Sequence, residues 1–481
     1  MARLWAVQRA ASNQINNMVI EMSTLNTRLS RISKLFIDRD ETAMEESLIR
    51  RQNYAVTLRC GRDVEKSDTL QVALLTAANI ANKCFPGAVR VVLEGTSKEA
   101  PLLIWPSLKL TFSQALTGLL GPESQMEEKS QKNGDHDIIF GDAKPIEGSL
   151  RVTFDGWVGK VGPTDGVERL PEREFCSLSG VIAAALAISE LFLSFAEISV
   201  EASRRTVGLS LWRPELNITH PEALGVPLEF LPRDMWVLGL GHLGNAYLWS
   251  LSMLPYPDPA GVEIVLNDFD KIESENVETG LIFDAQDVGR YKTRVCSDWL
   301  EKREFRTRLV ERRFDENFRC RDDEPRIALC GFDSNPPRRD LASSQFLRVI
   351  ESGLGGAVNN FDTINLHTLP NVRKPEEMWP DPNAEEGIQY QQTLARKNPA
   401  YSLLAADECG RFNLAGKSIA VPFVGAAAAS FVVAEIIRLL HRGPAYMNIK
   451  LMLADLDQRA AQTTRNYDPN DFVGLTYCSL T

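Results

Sequence analysis

The chain has 481 residues, of which 44% are apolar and 24% charged, with a formal net charge of −11. That length and composition provide for two or more globular domains with large buried cores. The acidic balance argues against a protein that coats nucleic acid, which would need a surplus or a clustered face of Lys and Arg.

Residues 1–50 are polar with a helical pattern and carry no continuous apolar stretch of the kind a signal peptide needs, so a cytoplasmic protein is expected. The next segment, 51–232, reads as an α/β half. Its "RCGRDVEKSDTL" is a loop with a single glycine, and "LQVALLTAANIANKCFPGAVRVVLEG" is an amphipathic helix, a glycine and a β-branched strand. The Pro-rich "LSLWRPELNITHPEALGVPLEFLPRD" closes this half as a linker.

Two apolar runs, "SGVIAAALAISELFLSF" and "VPFVGAAAASFVVAEIIRLL", each contain a Glu and fall short of the roughly 20 clean apolar residues of a membrane span. They are expected as buried helices. They also resemble each other: Gly180 precedes Glu190 by ten residues, as Gly425 precedes Glu435, about half a chain later. The spacing predicts an internal repeat whose first copy has lost its glycine-rich loop.

The second α/β half, 233–481, opens on "MWVLGLGHLGNAYLWSL": a strand, then Gly239, Gly241 and Gly244 at G-x-G-x-x-G spacing, then a helix. Glycines allow a backbone to approach a phosphate, and the free N–H groups that open a helix favour negative charge. The next strand ends in Asp268 and Asp270, where a ribose hydroxyl would be accepted, in NAD or in ATP alike. Asn276, Lys292 in "DVGRYKT" and Asp333 in "IALCGFDSNPPRRD" then supply a cation for phosphates and a carboxylate for Mg²⁺. Adenylyl transfer needs both, and hydride transfer needs neither. The stretch "EKREFRTRLVERRF" mixes bases with acids and predicts a solvated helix face. Residues 371–417, charged and Pro-bearing, predict a long functional excursion or mobile loop. The eight cysteines are scattered without C-x-x-C pairs, which suggests neither a zinc site nor a disulfide framework.

The set G-x-G-x-x-G-N, D-x-D-x-I, Asn276, D-V-G-x-x-K and Asp333 closely resembles the ThiF/MoeB-type adenylating superfamily, strongly over about 235–445. A decayed first half fused to an active one is similar to its ubiquitin-activating branch, in particular to bacterial relatives often linked to antiviral defence. The resemblance implies two Rossmann-like adenylation halves, the first inactive and the second active, forming a pseudo-dimer with an inserted cysteine-bearing loop. It assigns Gly239, Gly241 and Gly244 to the phosphate loop, Asp268 and Asp270 to the ribose side, Asn276 and Lys292 to the nucleotide, and Asp333 to Mg²⁺. Where the family motif N-L-x-R-Q offers an Arg, this chain has Thr279. Arg51 in "SLIRRQNYAV", similar to the R-Q entry of the family's first half, is the expected substitute cation.

The implied chemistry is ATP-dependent adenylation of the C-terminus of a ubiquitin-like protein, then thioester formation on a cysteine and hand-over to a conjugating protein. A homodimer is a further possibility of this class. Cys409 in "ADECGRFNLAG" is the expected nucleophile, although Asp407 and Glu408 oppose a lowered thiol pKa. Cys478 is the alternative, and Cys330, on an apolar strand, is expected in the core. Two other readings remain open: an adenylating enzyme for sulfur transfer or peptide modification without a thioester, and a nucleotide-binding scaffold that has lost activity.

Overall fold

The computed structural model describes residues 30–96, 99–121, 126–127, 136–380, 384–404, 408–463 and 474–480. The first half builds strands β1 (Ala55–Cys60), β2 (Ala88–Leu93), β3 (Met126–Glu127), β4 (Asp137–Phe140), β5 (Leu150–Asp155), β6 (Val158–Pro163) and β7 (Val207–Ser210). After β8 (Phe230–Pro232), the second half builds β9 (Asp234–Leu238), β10 (Glu263–Asn267), β11 (Arg306–Val310), β12 (Ile327–Cys330), β13 (Arg348–Leu354), β14 (Thr363–Leu369), β15 (Tyr446–Met452) and β16 (Asp455–Thr463). A last strand, β17 (Tyr477–Ser479), pairs with β8.

The two sheets repeat one strand order: β3-β2-β1-β4-β5-β6-β7 in the first and β11-β10-β9-β12-β13-β14-β15 in the second, which adds β16 at its edge. In each, the first five positions are parallel and the sixth and seventh antiparallel. These are Rossmann-like α/β halves, with a parallel sheet that places loops at the carboxyl ends of its central strands.

The two apolar runs form the helices Leu178–Phe195 and Pro422–Leu440, and the windows apolar enough to cross a membrane are 89% and 94% buried inside the protein. They pack against each other, with Phe192 and Phe423 ring centroids 5.4 Å apart. The repeat between them has a packing cause. A Cβ on Gly180 would lie 2.6 Å from the Thr69 carbonyl, and one on Gly425 would lie 2.4 Å from His242 Nε2. Thr69 and His242 open the first helix of their respective halves, Asp68–Cys84 and His242–Ser252. A side chain at Gly180 would press on backbone, and one at Gly425 would push the His242 ring out of place. Glu190 and Glu435, both buried, do matching work at the other end: Glu190 accepts the Ser203 N–H at 2.9 Å and Glu435 accepts the Tyr446 N–H at 2.9 Å.

One apolar core runs through both halves. Polar contacts pin the junction: Trp249 Nε1 donates to Thr76 Oγ1 (3.1 Å), Asn79 Nδ2 to the Leu281 carbonyl (2.8 Å) and Trp105 Nε1 to the Ser252 carbonyl (3.0 Å). The Arg303 guanidinium is stacked 3.6 Å from the Trp299 ring centroid and 4.1 Å from that of Trp105.

Two sequence expectations need correction. The stretch "EKREFRTRLVERRF" is not a helix face: the helix Lys292–Glu301 ends at its start, and Arg306–Val310 becomes edge strand β11, paired among the described residues with β10 alone. The excursion at 371–417 is not a loop but helices, Pro375–Met378, Ala384–Lys397, Pro399–Leu404 and Glu408–Gly416. Ala395, Ala400, Tyr401 and Ala415 bury against Ile37 and Met44 of the N-terminal helices Lys34–Asp40 and Met44–Arg51. The excursion becomes ordered by a partner more than 300 residues away in sequence, with Asn398 Nδ2 donating to the Ile37 carbonyl at 2.6 Å.

The glycine packing is directly testable. Gly180→Ala should lower the unfolding free energy by about 1–3 kcal/mol, because a backbone carbonyl blocks the new methyl. At the exposed Gly118, on the outer side of the helix Phe112–Leu120, a Gly118→Ala methyl meets nothing within 4 Å and should raise it by about 0.5–1 kcal/mol. Urea denaturation of both variants is the measurement, and equal effects would contradict the packing account.

Candidate active site

The site lies at the carboxyl end of β9. Gly239 has φ +76°, a conformation other residues rarely adopt. A Cβ on Gly244 would lie 2.0 Å from the Gly239 carbonyl, so Gly244 lets the helix close against the loop from behind. Gly241 is different: nothing lies within 4 Å of its Cβ position, which is open where the helix N-terminus begins.

Asp268 fixes this loop. Its Oδ2 accepts the Leu240 N–H at 2.7 Å and its Oδ1 the Asp270 N–H at 2.8 Å. Burial pushes the Asp268 carboxyl above its usual value, and the Lys292 ammonium, 3.9 Å away, opposes that rise. Lys292 Nζ also reaches Asp270 Oδ2 at 3.1 Å.

A cavity of about 670 Å³ opens in front of the loop. Gly239, Gly241, Asp268, Asp270, Asn276, Thr279, Lys292 and Asp333 all line it, so residues spread over nearly a hundred positions converge there. Gly244 does not, since it packs behind. Asn276 serves two ends, because its Oδ1 caps the helix Ser274–Thr279 by accepting the Glu273 N–H at 2.9 Å. Asp333 is an exposed carboxylate at the rim.

Arg51 is a correction. It is buried away from the cavity, with Nη1 held by Glu278 (3.0 Å), Ser30 Oγ (3.1 Å) and Ser33 Oγ (3.0 Å), and Nη2 by the Lys83 carbonyl (3.2 Å). A guanidinium committed to four protein acceptors is not placed to meet phosphates. Among the described residues of the N-terminal segment, Arg31 lines the cavity. Its Nε donates to the Ser418 carbonyl, and its own carbonyl accepts the Ala420 N–H at 3.4 Å. Burial lowers the Arg31 pKa, opposed by the carboxylates of Glu275, Asp333 and Glu278. Sequence reasoning missed Arg31 because "RLSRISK" carries no motif; only the chain path over the cavity identifies it. Arg338 and His242 also line the cavity unforeseen. His242 Nε2 is buried with no hydrogen-bond partner among the described residues, and burial lowers this imidazole to about 3, so it is neutral near pH 7.

The donor set suits a nucleotide triphosphate with Mg²⁺. Gly241 leaves the room a side chain would fill, Lys292 and Arg31 supply positive charge, and the rim carboxylate Asp333 is a hard oxygen ligand. Among the described residues no group of three His, Cys, Asp or Glu side chains is gathered tightly enough to hold a metal alone. A Mg²⁺ ion would therefore take most of its ligands from phosphates and water, as that ion commonly does.

The corresponding place in the first half is filled. A Cβ on Gly61 would lie 1.8 Å from Asp142 Oδ1, and Arg169 bridges Asp63 and Glu172 there. Glu94, following β2 as Asp268 follows β10, turns instead to the Lys144 N–H at 3.1 Å.

Among the cysteines, Cys409 stands near the start of the helix Glu408–Gly416, and its side chain lies outside the described residues. Cys478 lies on β17 with its Sγ 3.7 Å from the Leu231 carbonyl, and burial raises its thiol pKa, which disfavours a thiolate. Cys330 is fully buried at the end of β12.

A parallel sheet with a glycine loop, a helix N-terminus and the Asp268 carboxylate at its carboxyl edge is the architecture of the Rossmann-like α/β class. Residues 55–211 match the family model of the BilD N-terminal domain and residues 231–443 that of the BilD C-terminal domain. The bacterial E1-like protein BilD of Collimonas sp. (strain OK412) is 33% identical over 435 residues, which cover 88% of this chain and 90% of that protein. The chain belongs to the BilD family. The resemblance to bacterial E1-like proteins is thereby borne out. Among solved structures, Escherichia coli MccB is similar at 16% identity and a TM-score of 0.35, over 66% of this chain and 96% of that one. PaaA is similar at 13% identity and a TM-score of 0.32, over 48% and 72%.

The two inner glycines separate fold from binding. Gly244→Ala should disturb the loop and lower stability, since the methyl meets the Gly239 carbonyl. Gly241→Ala should leave the unfolding midpoint unchanged yet weaken ATP binding about tenfold or more, a loss of about 1.4 kcal/mol. Calorimetric titration with ATP beside thermal unfolding checks both, and full ATP affinity in Gly241→Ala would remove the loop from the binding site.

Proposed function

We propose that this protein uses ATP to adenylate the C-terminal carboxylate of a ubiquitin-like protein and then takes the acyl group onto a cysteine. The observation that carries the reading is the convergence of the Gly239–Gly244 loop, Asp268, Lys292, Asp333 and Arg31 on one cavity. A carboxylate oxygen of the tail attacks the α-phosphorus, the bond between the α- and β-phosphates breaks, and pyrophosphate leaves, giving an acyl-adenylate. Loop N–H groups and the helix N-terminus hold phosphate oxygens, Asp268 accepts a ribose hydroxyl, and Lys292 and Arg31 offset charge that builds during transfer. Bound Mg²⁺, held through Asp333, would neutralise phosphate charge. Arg31 takes the part for which the family's motif arginine, replaced here by Thr279, is missing; Thr279 itself lines the cavity.

A thiolate then attacks the acyl carbonyl and AMP leaves, producing a thioester that a conjugating protein accepts. Cys409 is the proposed nucleophile because its helix leads directly into the cavity's wall at Ser418, Ile419 and Ala420. The filled loop of the first half and its repeated strand order support an inactive 51–232 half paired with an active 233–481 half as a pseudo-dimer. Such a division leaves one nucleotide site per chain.

Two measurements test this reading. In ATP–pyrophosphate exchange with a ubiquitin-like protein, Asp333→Ala and Arg31→Ala should each lower the rate by about 10²-fold or more, or about 2.7 kcal/mol, in folded protein. Undiminished exchange would remove the residue from the site. On non-reducing gels, Cys409→Ala should abolish a thiol-labile adduct with the ubiquitin-like protein while pyrophosphate exchange persists, because activation precedes transfer. Persistence of the adduct would overturn the Cys409 assignment.

A further inference from the structure

Asp333 presents a difficulty of its own. It stands exposed on the loop after β12, followed by Pro336 and Pro337, and a carboxylate there needs something else to fix its direction. The support comes from five residues later. Arg338, on the short helix Asn335–Asp340, turns its guanidinium back so that Nε and Nη2 donate to the Phe332 carbonyl at 3.1 and 2.5 Å. That fork closes the 332–338 segment into a ring around Asp333. Arg's planar donor geometry suits this double contact, which a lysine cannot make.

Arg338 is held in turn from below. Its Nε lies 2.9 Å from Oε1 of Glu351, a carboxylate on β13 with no exposed surface; this is an ion pair rather than a hydrogen bond, because the Nε–H is given to the Phe332 carbonyl. The second oxygen, Oε2, lies 3.0 Å from His367 Nδ1. Glu351 and His367 stand directly opposite each other on the antiparallel strands β13 and β14, and the His367 ring meets Trp379 edge-on at 5.6 Å. A buried carboxylate is costly unless its charge is balanced; here the Arg338 guanidinium supplies that charge and His367 meets Oε2, so removing either partner leaves an uncompensated charge. Here the pairing runs in one line from the rigid sheet to the cavity rim.

We propose that Glu351 is a positioning residue for Asp333, acting through Arg338 to fix the rim carboxylate where it meets the Mg²⁺ and phosphates of the substrate. This rests on the adenylation reading, and it assigns a role to three side chains, Glu351, Arg338 and His367, that touch none of the motif residues. Asp333 keeps its identity in any variant of the chain behind it, but loses its fixed direction.

The test uses Glu351→Gln, which keeps shape and removes charge, and Arg338→Lys, which keeps charge and removes the fork. Hydrogen exchange on the full-length protein without nucleotide should speed up about tenfold in residues 331–340 in both variants, with β9 and β10 unchanged. In ATP–pyrophosphate exchange, the Mg²⁺ concentration for half-maximal rate should rise about tenfold, more than the rate at saturating Mg²⁺ falls. A merely structural ion pair would lower the unfolding midpoint and leave the Mg²⁺ requirement where it was, and that result would overturn the proposal. So would unchanged exchange of residues 331–340 in folded Arg338→Lys, which decides the matter should Glu351→Gln fail to fold. Should wild-type protein give no pyrophosphate exchange with any ubiquitin-like partner, the adenylation reading fails, while hydrogen exchange still decides whether Glu351 and Arg338 hold the loop.

Discussion

The carboxylate of Asp268 is the constraint on which the site depends. By accepting the N–H groups of Leu240 and Asp270, it ties the glycine loop to the turn after β10 before any ligand arrives. That shape then requires Gly239 at positive φ and Gly244 without a side chain, and it leaves the start of the His242–Ser252 helix facing an open cavity. A buried carboxylate resists ionisation, and Lys292 beside it favours the charged form, so the same lysine that faces the cavity also maintains the loop's anchor. The first half demonstrates the alternative. Its acid in the matching place, Glu94, holds Lys144 rather than the loop, and the loop space is taken by Asp142 and by Asp63 with Arg169.

A second layer of organisation comes from the N-terminal segment. Residues 30–51 cross from the cavity, through Arg31, to the excursion helices, through Ile37, Lys34 and Tyr401. Lys417, just past the helix that bears Cys409, pairs with Glu275 on the helix Ser274–Thr279 at the cavity. The cysteine-bearing helices and the cavity thus share both a cover and an ionic contact. Arg51, buried with Glu278, serves that cover rather than the chemistry.

What could be read from the sequence was local. Glycine spacing, the Asp268 and Asp270 pair, Lys292 and Asp333 each sit at the end of a strand or the start of a helix, where a short motif fixes position. The Gly180/Gly425 and Glu190/Glu435 repeat was legible because close helix crossing and a buried hydrogen bond each demand one residue type. Arg31 was not, since its place depends on how a motif-free segment is laid across a cavity, and Arg51 offered a better-looking pattern for the wrong location. The excursion was misread because its apolar positions find their partners in residues 34–51. Strand β11 was misread because a solvated edge strand and a solvated helix face share the same mixture of charges.

The central claim is that the cavity directs attack to the α-phosphate of ATP. A single-turnover reaction of the Cys409→Ala variant, which cannot discharge the adenylate to a thioester, with ATP labelled at the α-phosphate, Mg²⁺ and a ubiquitin-like protein tests it most directly. The account predicts that label moves onto the ubiquitin-like protein as an acid-stable adenylate while unlabelled pyrophosphate is released. Release of labelled ADP with inorganic phosphate, or of label that never joins the partner protein, would contradict it.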